Sequence, residues 1–430
     1  MFDLSRKHWL VLFAAWLGWG FDVFDALIFG YVAPNCVPTL LGLQIGSEAA
    51  KSATLYWTGV LSSLLLIGWA FGGVLFGVIC DRIGRVRTMM LTMLVYALGT
   101  AACALAPNLA SLIAFRVIAS LGIGGEWAAG AAMVAEAMPE KRRVEAGALL
   151  YTASPMGLFL ATFVNFQIAG VWMQDSPQTS WRYIFLFGLV PAAIAFIVRS
   201  FVQEPERWER SHDSRPATLG ELFSPELRRV VAIGTLLSTV SLLTWWSCNA
   251  FIPAVVSGWA QTEAQTRGLV GHAVSALTEE WKFRATFWFN LGGLIGTVLT
   301  IPFAKGFGRR TMFAGYFVLS ALSIFLTFGI DVPAESRVYF YFLIGLFVFG
   351  VAGSFTFYLP ELFPTRLRAS GAGFCFNIGR ILAAAGPFVV GSIAAQGRAI
   401  ETLFYVGFIP LAALLVLPFA LETKGQALRA

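Results

Sequence analysis

The sequence predicts an all-α membrane protein with twelve transmembrane helices in two six-helix pseudo-repeats. Three observations lead there. Of 430 residues, 57% are hydrophobic and 13% charged, against about 25% charged in an ordinary soluble chain. The apolar residues gather into twelve runs near the length a bilayer requires, about 20 residues at 1.5 Å each. Two motifs also recur half a chain apart at almost one offset.

The runs cover 9–33, 55–80, 88–106, 109–135, 146–172 and 181–203, then 230–259, 283–304, 311–330, 337–359, 370–395 and 401–420, each bounded by turn or charge signals. The first follows Arg6 and Lys7, as a secretory leader would. It carries two aspartates and no convincing small-residue cleavage site, so it reads as a span. With the N-terminus in the cytoplasm, 21 of the 30 Lys and Arg fall in cytoplasmic segments, and Arg116 and Arg380 fall within spans. Positive charge favours the inside, so both termini are expected in the cytoplasm and the chain in a plasma membrane, the inner membrane of a bacterium. The scatter of basic residues through short loops argues against a nucleic-acid partner despite the net charge of +6. Five cysteines, mostly within spans, imply no disulfide framework.

The polar stretch 204–229 separates an expected N-terminal bundle, 1–203, from a C-terminal bundle, 230–430. Glu204-Pro205 ends the sixth span, and Pro216 and Pro225 discourage a continuous helix. The repeat lies in the loops of these bundles. Glu136-x-x-Pro139-x-x-x-Arg143-x-x-Ala146 returns 225 residues later as Glu361-x-x-Pro364-x-x-x-Arg368-x-x-Gly371. Gly84-Arg85 returns 224 residues later as Gly308-Arg309. Parallel six-span repeats about an axis along the membrane normal are a transporter architecture with the substrate site between the halves.

These residues resemble the major facilitator superfamily over nearly the whole chain. Gly77-x-x-x-Asp81-Arg82-x-Gly84-Arg85 is similar to that family's signature loop between helices two and three. Its second copy, Lys305-Gly306-Phe307-Gly308-Arg309-Arg310, has Lys305 where the first has Asp81, which favours the first loop as a gate. Arg116 followed by Gly122, Gly124 and Gly125 resembles the helix-four signature of proton-coupled members. Glu136 with Pro139, Glu361 with Pro364, and Leu421-Glu422-Thr423-Lys424-Gly425 resemble the sugar-porter-like branch. Gly20-Phe21-Asp22-Val23-Phe24-Asp25 is similar to the D-G-F-D of aromatic acid:proton and sialate:proton symporters, with Val23 in place of Gly. Gly124-Gly125-Glu126-Trp127 and Gly379-Arg380 with Gly386-Pro387 are likewise similar to organic-anion symporters. The glycine-rich drug-antiporter signature is absent from 146–172. The resemblance implies the major facilitator fold and proton-coupled transport; the substrate does not follow from it.

The charged residues inside the spans carry the functional expectation. A carboxylate in hydrocarbon costs about 2.5–3.5 kcal/mol even on a lenient scale, so Asp22 and Asp25 point to proton handling or an ion path. Three residues apart, they lie about 60° apart on a helix and can share one surface. Asp25 and Arg116 fall at matching depth on spans one and four, which makes an ion pair geometrically possible. A neighbouring Arg favours the charged carboxylate and burial the neutral acid, so a site whose Arg moves away takes up a proton. The alternative is a fixed structural salt bridge. Asp22 and Glu126 could relay the proton or coordinate substrate. His8, His212 and His272 all fall outside the spans.

Arg380 is the basic residue deep in the second half, and apart from Glu401 at the start of the last span no acid lies within the spans drawn there. A guanidinium stays protonated and needs an anionic or strongly polar partner. The expected partner is a substrate carboxylate held by two parallel hydrogen bonds; the alternatives are backbone carbonyls or an acid from the other half. Asn377 shares its face at i and i+3. Asn165, Gln167, Asn249 and Asn290 could complete the site or simply join helices. Tyr151, Trp246, Trp245 and Phe376 could line it or belong to the core. At the cytoplasmic helix ends, Asp81, Arg85, Glu136, Arg143, Arg309 and Glu361, with Gly77, Arg82, Gly84 and Arg368 of the same motifs, are expected to gate through a network of ion pairs.

The expected function is therefore symport of protons with a small organic anion, a carboxylate, by alternating access, carried out by a monomer in the lipid bilayer. A proton-coupled sugar or polyol porter and a transport-dead sensor are the alternatives. No nucleophile, metal cluster or cofactor motif supports an enzyme.

Overall fold

A computed structural model describes residues 5–83, 85–139, 142–200, 219–364 and 367–425. Among these residues the structure is helical and contains no strand. The first four spans are Arg6–Leu40, Glu48–Ile83, Arg85–Cys103 and Leu109–Ala137. Ser5 caps the first and Asn108 the fourth through their side-chain oxygens, satisfying N–H groups that a helix start leaves open. Of the stretch 204–229, residues up to 218 lie outside the description; from there a 3-10 turn, Leu219–Phe223, leads to the seventh span at Arg228.

Five later spans are broken: the twelfth passes from Ala399–Val406 to a 3-10 turn at Pro410–Ala412, and proline explains the breaks in the other four. The fifth runs Arg143–Tyr151, Ala153–Asn165 and a π-helical end, Phe166–Trp172. The sixth is Pro177–Phe187 with Leu189–Ser200, and the seventh Arg228–Asn249 with Ile252–Thr266. The eleventh is Arg368–Ala383 with Ala385–Ile393. Pro155, Pro191, Pro253 and Pro387 follow these breaks by two to three residues. A proline has no N–H for the carbonyl four residues back, so the helical ladder opens there.

The eighth, ninth and tenth spans are His272–Phe307, Arg309–Gly329 and Tyr341–Leu362. Gly308 turns the chain between eight and nine at φ 86, a left-handed conformation open to glycine. Ten helical stretches among the described residues are long and apolar enough to cross a membrane. Leu109–Gly124 is a shorter one, and Ser370–Phe419 is a 50-residue stretch that at 1.5 Å per residue is more than twice the hydrocarbon thickness. Gly397, at φ 85, divides it into spans eleven and twelve, so the twelve expected spans are accounted for.

One boundary differs in a way that matters. The eighth span starts at 272 and not at 283, which places Glu279 and Lys282 on a helix where both are buried. The expectation that no acid but Glu401 lies within the spans of the second half is thereby corrected. Packing compensates these two charges locally, so a charge-rich stretch continues as helix.

The repeat reappears in the packing. A Cβ on Gly72 would overlap the Leu121 carbonyl, and one on Gly296 would overlap the Leu346 carbonyl. Both pairs sit at the repeat offset, so spans two and four, and spans eight and ten, meet through equivalent glycine seams. Between the halves, span two packs on span eleven, span five on span eight, and span one on span seven.

Candidate functional site

Asp25 is 2% exposed and faces its own half of the molecule. Thr100 of span three donates to its Oδ2 at 2.8 Å. Gly188, at the break of span six, lies beside Oδ1, which has no hydrogen-bond partner among the described residues. Arg116 reaches the same node, but through the backbone. Its guanidinium donates to the Asp25 carbonyl at 3.2 and 3.1 Å, to the Ala26 carbonyl at 2.7 Å, and to Thr100 Oγ1 at 3.3 Å. Asp25 and Arg116 do meet at one depth, as their positions along the chain suggest. The contact is not the direct ion pair considered above: Thr100 stands between the two charges.

Arg116 also lines a cavity between the halves. Its wall includes Gly30 and Tyr31 of span one, Ser62 of span two, and Trp246, Asn249 and Pro253 of span seven. The space open to a water-sized sphere is about 20 Å³, enough for a water, which needs roughly 10–15 Å³. Asn249 is the residue whose carbonyl Pro253 leaves without its usual helical donor.

Asp22 is fully buried three residues before Asp25, yet one electrostatic neighbour lies in the other half. It interacts with Arg380, as does the Tyr151 phenol. Arg380 is 3% exposed. It donates to Asn377 Oδ1 at 2.9 Å, and its guanidinium carbon sits 4.3 Å from the Trp69 ring centroid and 4.8 Å from that of Phe376. Trp246 packs edge-on against Trp69 at 6.2 Å, and Trp19 against Tyr151 at 5.1 Å. The arginine is therefore held in an aromatic enclosure contributed by both halves, with its planar fork flanked by ring faces.

The remaining polar candidates separate from this centre. Asn165 donates to Glu279 Oε2 at 2.7 Å and Asn290 to Thr162 at 3.2 Å. Gln167 is half-buried in the π-helical end of span five. Glu279 itself forms a 2.7 Å ion pair with Lys282. Neither residue was singled out in the sequence; their i, i+3 spacing around Trp281 was the available signal.

At the face that carries the termini, Arg309 grips Glu361 with two bonds, 2.6 and 3.0 Å. Thr423 donates to the same carboxylate at 2.5 Å. Glu422 accepts the backbone N–H groups of Arg309, Arg310 and Lys424 at 2.9, 3.0 and 2.9 Å. Partial burial pushes the Glu422 carboxyl up, but these three N–H donors and Arg309 outweigh it and hold it below the usual carboxylate range. Arg309 and Glu361 both belong to the second half, so this cluster braces one half. Lys305 and Glu145, 2.5 Å apart, join the halves on this face. Gly84 lies outside the described residues, as do the side-chain positions of Gly77, Asp81, Arg82, Arg85, Glu126, Glu136, Arg143 and Arg368.

The chain is 26% identical over 443 residues to the niacin transporter NiaP of Acinetobacter baylyi, covering 99% of this chain and 96% of that one. It is 26% identical over 422 residues to the sialic acid transporter NanX of Escherichia coli, covering 96% and 94%. Among solved structures it superposes on a D-xylose-proton symporter with a TM-score of 0.74 at 20% identity, over 98% of this chain and 99% of that one, a likeness of fold. The sequence profile described as Major Facilitator Superfamily matches residues 9–374. By that match and by its helical architecture, the chain is a multi-pass membrane transporter, not an enzyme, and belongs to the Major Facilitator Superfamily.

Proposed function

We propose that the protein imports a small organic anion, a carboxylate, together with protons. The halves 1–203 and 230–430 would alternate access across the plasma membrane, with both termini in the cytoplasm and the monomer as the working unit. The observation that carries this reading is the setting of Arg380. Arg380 is a buried guanidinium that bonds Asn377, is flanked by two ring faces and interacts with Asp22; it lies at the seam between halves, and a planar guanidinium fork suits a carboxylate. Niacin and sialic acid, named for two relatives, both carry a carboxyl group.

Asp22 and Asp25 supply the proton chemistry in this reading, with Glu126 on span four as a relay. A substrate carboxylate at Arg380 competes with Asp22 for the same positive charge. An acid that loses its compensating charge in a dry site is more easily kept by protonation than by ionisation. Arg116 and Thr100 hold Asp25 in place while this exchange occurs. Asn377, Tyr151, Trp246 and Asn249 border the substrate in this reading, and Asn165 and Gln167 stand toward the opposite face.

Proton uptake into proteoliposomes tests this against a panel of monocarboxylates, aromatic acids, sialic acid and neutral sugars. Acidification of the lumen with carboxylates alone is the expected result. Acidification with sugars and none with carboxylates would overturn it.

A further inference from the structure

The ion pair on span eight belongs to a network that the proposed transport chemistry does not use. Glu279 and Lys282 are 3% and 1% exposed. Asn35 Nδ2 donates to Glu279 Oε1 at 3.3 Å, and Asn165 Nδ2 donates to Oε2 at 2.7 Å. Lys282 Nζ donates to the Tyr31 carbonyl at 3.2 Å. Below them, Asn290 donates to Thr162, and Thr162 donates to the Tyr31 hydroxyl at 3.0 Å. Tyr31, Asn35, Thr162 and Asn165 come from the first half; Glu279, Lys282 and Asn290 come from the second. All lie toward the face opposite the termini, where Ser52 also bonds the Ala395 carbonyl at 2.8 Å and Lys51 bonds Thr262 at 3.1 Å across the halves.

The division of partners is informative. Both charges sit on one helix, three residues apart, while every partner drawn from the other half is neutral: two side-chain amides and one carbonyl. If the halves part on this side, carboxylate and ammonium stay together and water replaces the departing dipoles. A charge pair split between the halves would instead leave two isolated ions. The network is thus well bonded when shut and hydrated but still paired when open, which is what a two-state closure requires. We propose that Asn35, Asn165 and Tyr31, acting on the Glu279–Lys282 pair, form a releasable clamp that shuts the transport path on the face opposite the termini. The clamp rests on alternating access and is independent of whether the substrate is an anion or the coupling ion a proton.

The test uses substrate-free, full-length protein in lipid nanodiscs, spin-labelled through Glu48→Cys and Val270→Cys with Cys80→Ser, and read by double electron–electron resonance. Asn35→Ala and Asn165→Ala are each expected to raise the ratio of separated to closed distances about tenfold, and the double variant about a hundredfold, corresponding to ~1.4 kcal/mol per tenfold step. Asn165→Leu keeps the side-chain bulk and serves if the double variant does not yield folded protein. A distance distribution identical to the parent in the double variant, or in Asn165→Leu, overturns the clamp. Separation of the labels alongside a failure of carboxylate uptake would instead retain the clamp and reject the anion reading.

Discussion

Replacing Arg380 by Lys keeps the charge and removes the fork, so it isolates what the guanidinium contributes. In the structure, Arg380 bonds Asn377 at 2.9 Å and stacks between Trp69 and Phe376 at 4.3 and 4.8 Å. A carboxylate held by two parallel bonds loses one of them when an ammonium takes the place of the guanidinium. A hydrogen bond involving a charge contributes about 1.5–3 kcal/mol, so carboxylate affinity should fall roughly 10- to 150-fold. The planar stacking of the guanidinium on the two rings, each contact about 0.5–2 kcal/mol, is weakened in the empty protein too. This should appear as a lower unfolding temperature without ligand. Isothermal titration of purified Arg380→Lys with nicotinate and with sialate, beside the parent, measures the affinity loss directly. Carboxylate binding at parental affinity by a folded variant would refute the assignment of Arg380 to the substrate.

Three further outcomes are expected. Asp25→Asn retains an acceptor for Thr100 but cannot exchange a proton, so substrate counterflow should persist while accumulation driven by a pH gradient falls at least about tenfold; undiminished accumulation would exclude Asp25 from coupling. Gly72→Ala and Gly296→Ala should each destabilise by ~1–3 kcal/mol by overfilling equivalent seams, whereas Gly315→Ala, where a Cβ meets nothing within 4 Å, should not; thermal unfolding in detergent compares them. Glu422 is held below its unfolded value, so its contribution to stability is present above pH ~4.5 and fades as pH falls through the lower folded value; Glu422→Gln should flatten that acid-side loss, and an unchanged pH profile would count against the N–H cradle.

Much of the architecture could be read directly because the bilayer permits few alternatives. Runs such as 55–80 and 311–330 can only be helices in hydrocarbon, where every backbone polar group must be satisfied internally. The repeated Gly-Arg and Glu-x-x-Pro motifs then gave the half-chain offset that the glycine seams reproduce. Depth counting brought Asp25 level with Arg116, and helical spacing brought Asn377 beside Arg380. What spacing did not reveal was which atom of each residue makes the contact. Arg116 bonds to the carbonyls of Asp25 and Ala26, while Thr100, from a third helix, takes one oxygen of the carboxylate. Glu279 and Lys282 were missed for another reason. The run Glu279-Glu280-Trp281-Lys282-Phe283-Arg284 looks like a solvated helix end until Asn35 and Asn165, distant in sequence, supply partners on one of its faces.

The placement of Glu279 and Lys282 on one turn also bears on how the protein enters the membrane. A charge at the centre of a helix adds about 2.5–3.5 kcal/mol to its insertion and less toward its ends, and the eighth span emerges from the ribosome before it has settled against the first half. Already 2.7 Å apart on the same helix, the two form a nearly neutral unit that can pass into lipid without waiting for Asn35 and Asn165. Splitting the pair between two helices would make insertion of each depend on the arrival of the other. The same local pairing therefore makes the second half less dependent on the first during its own assembly.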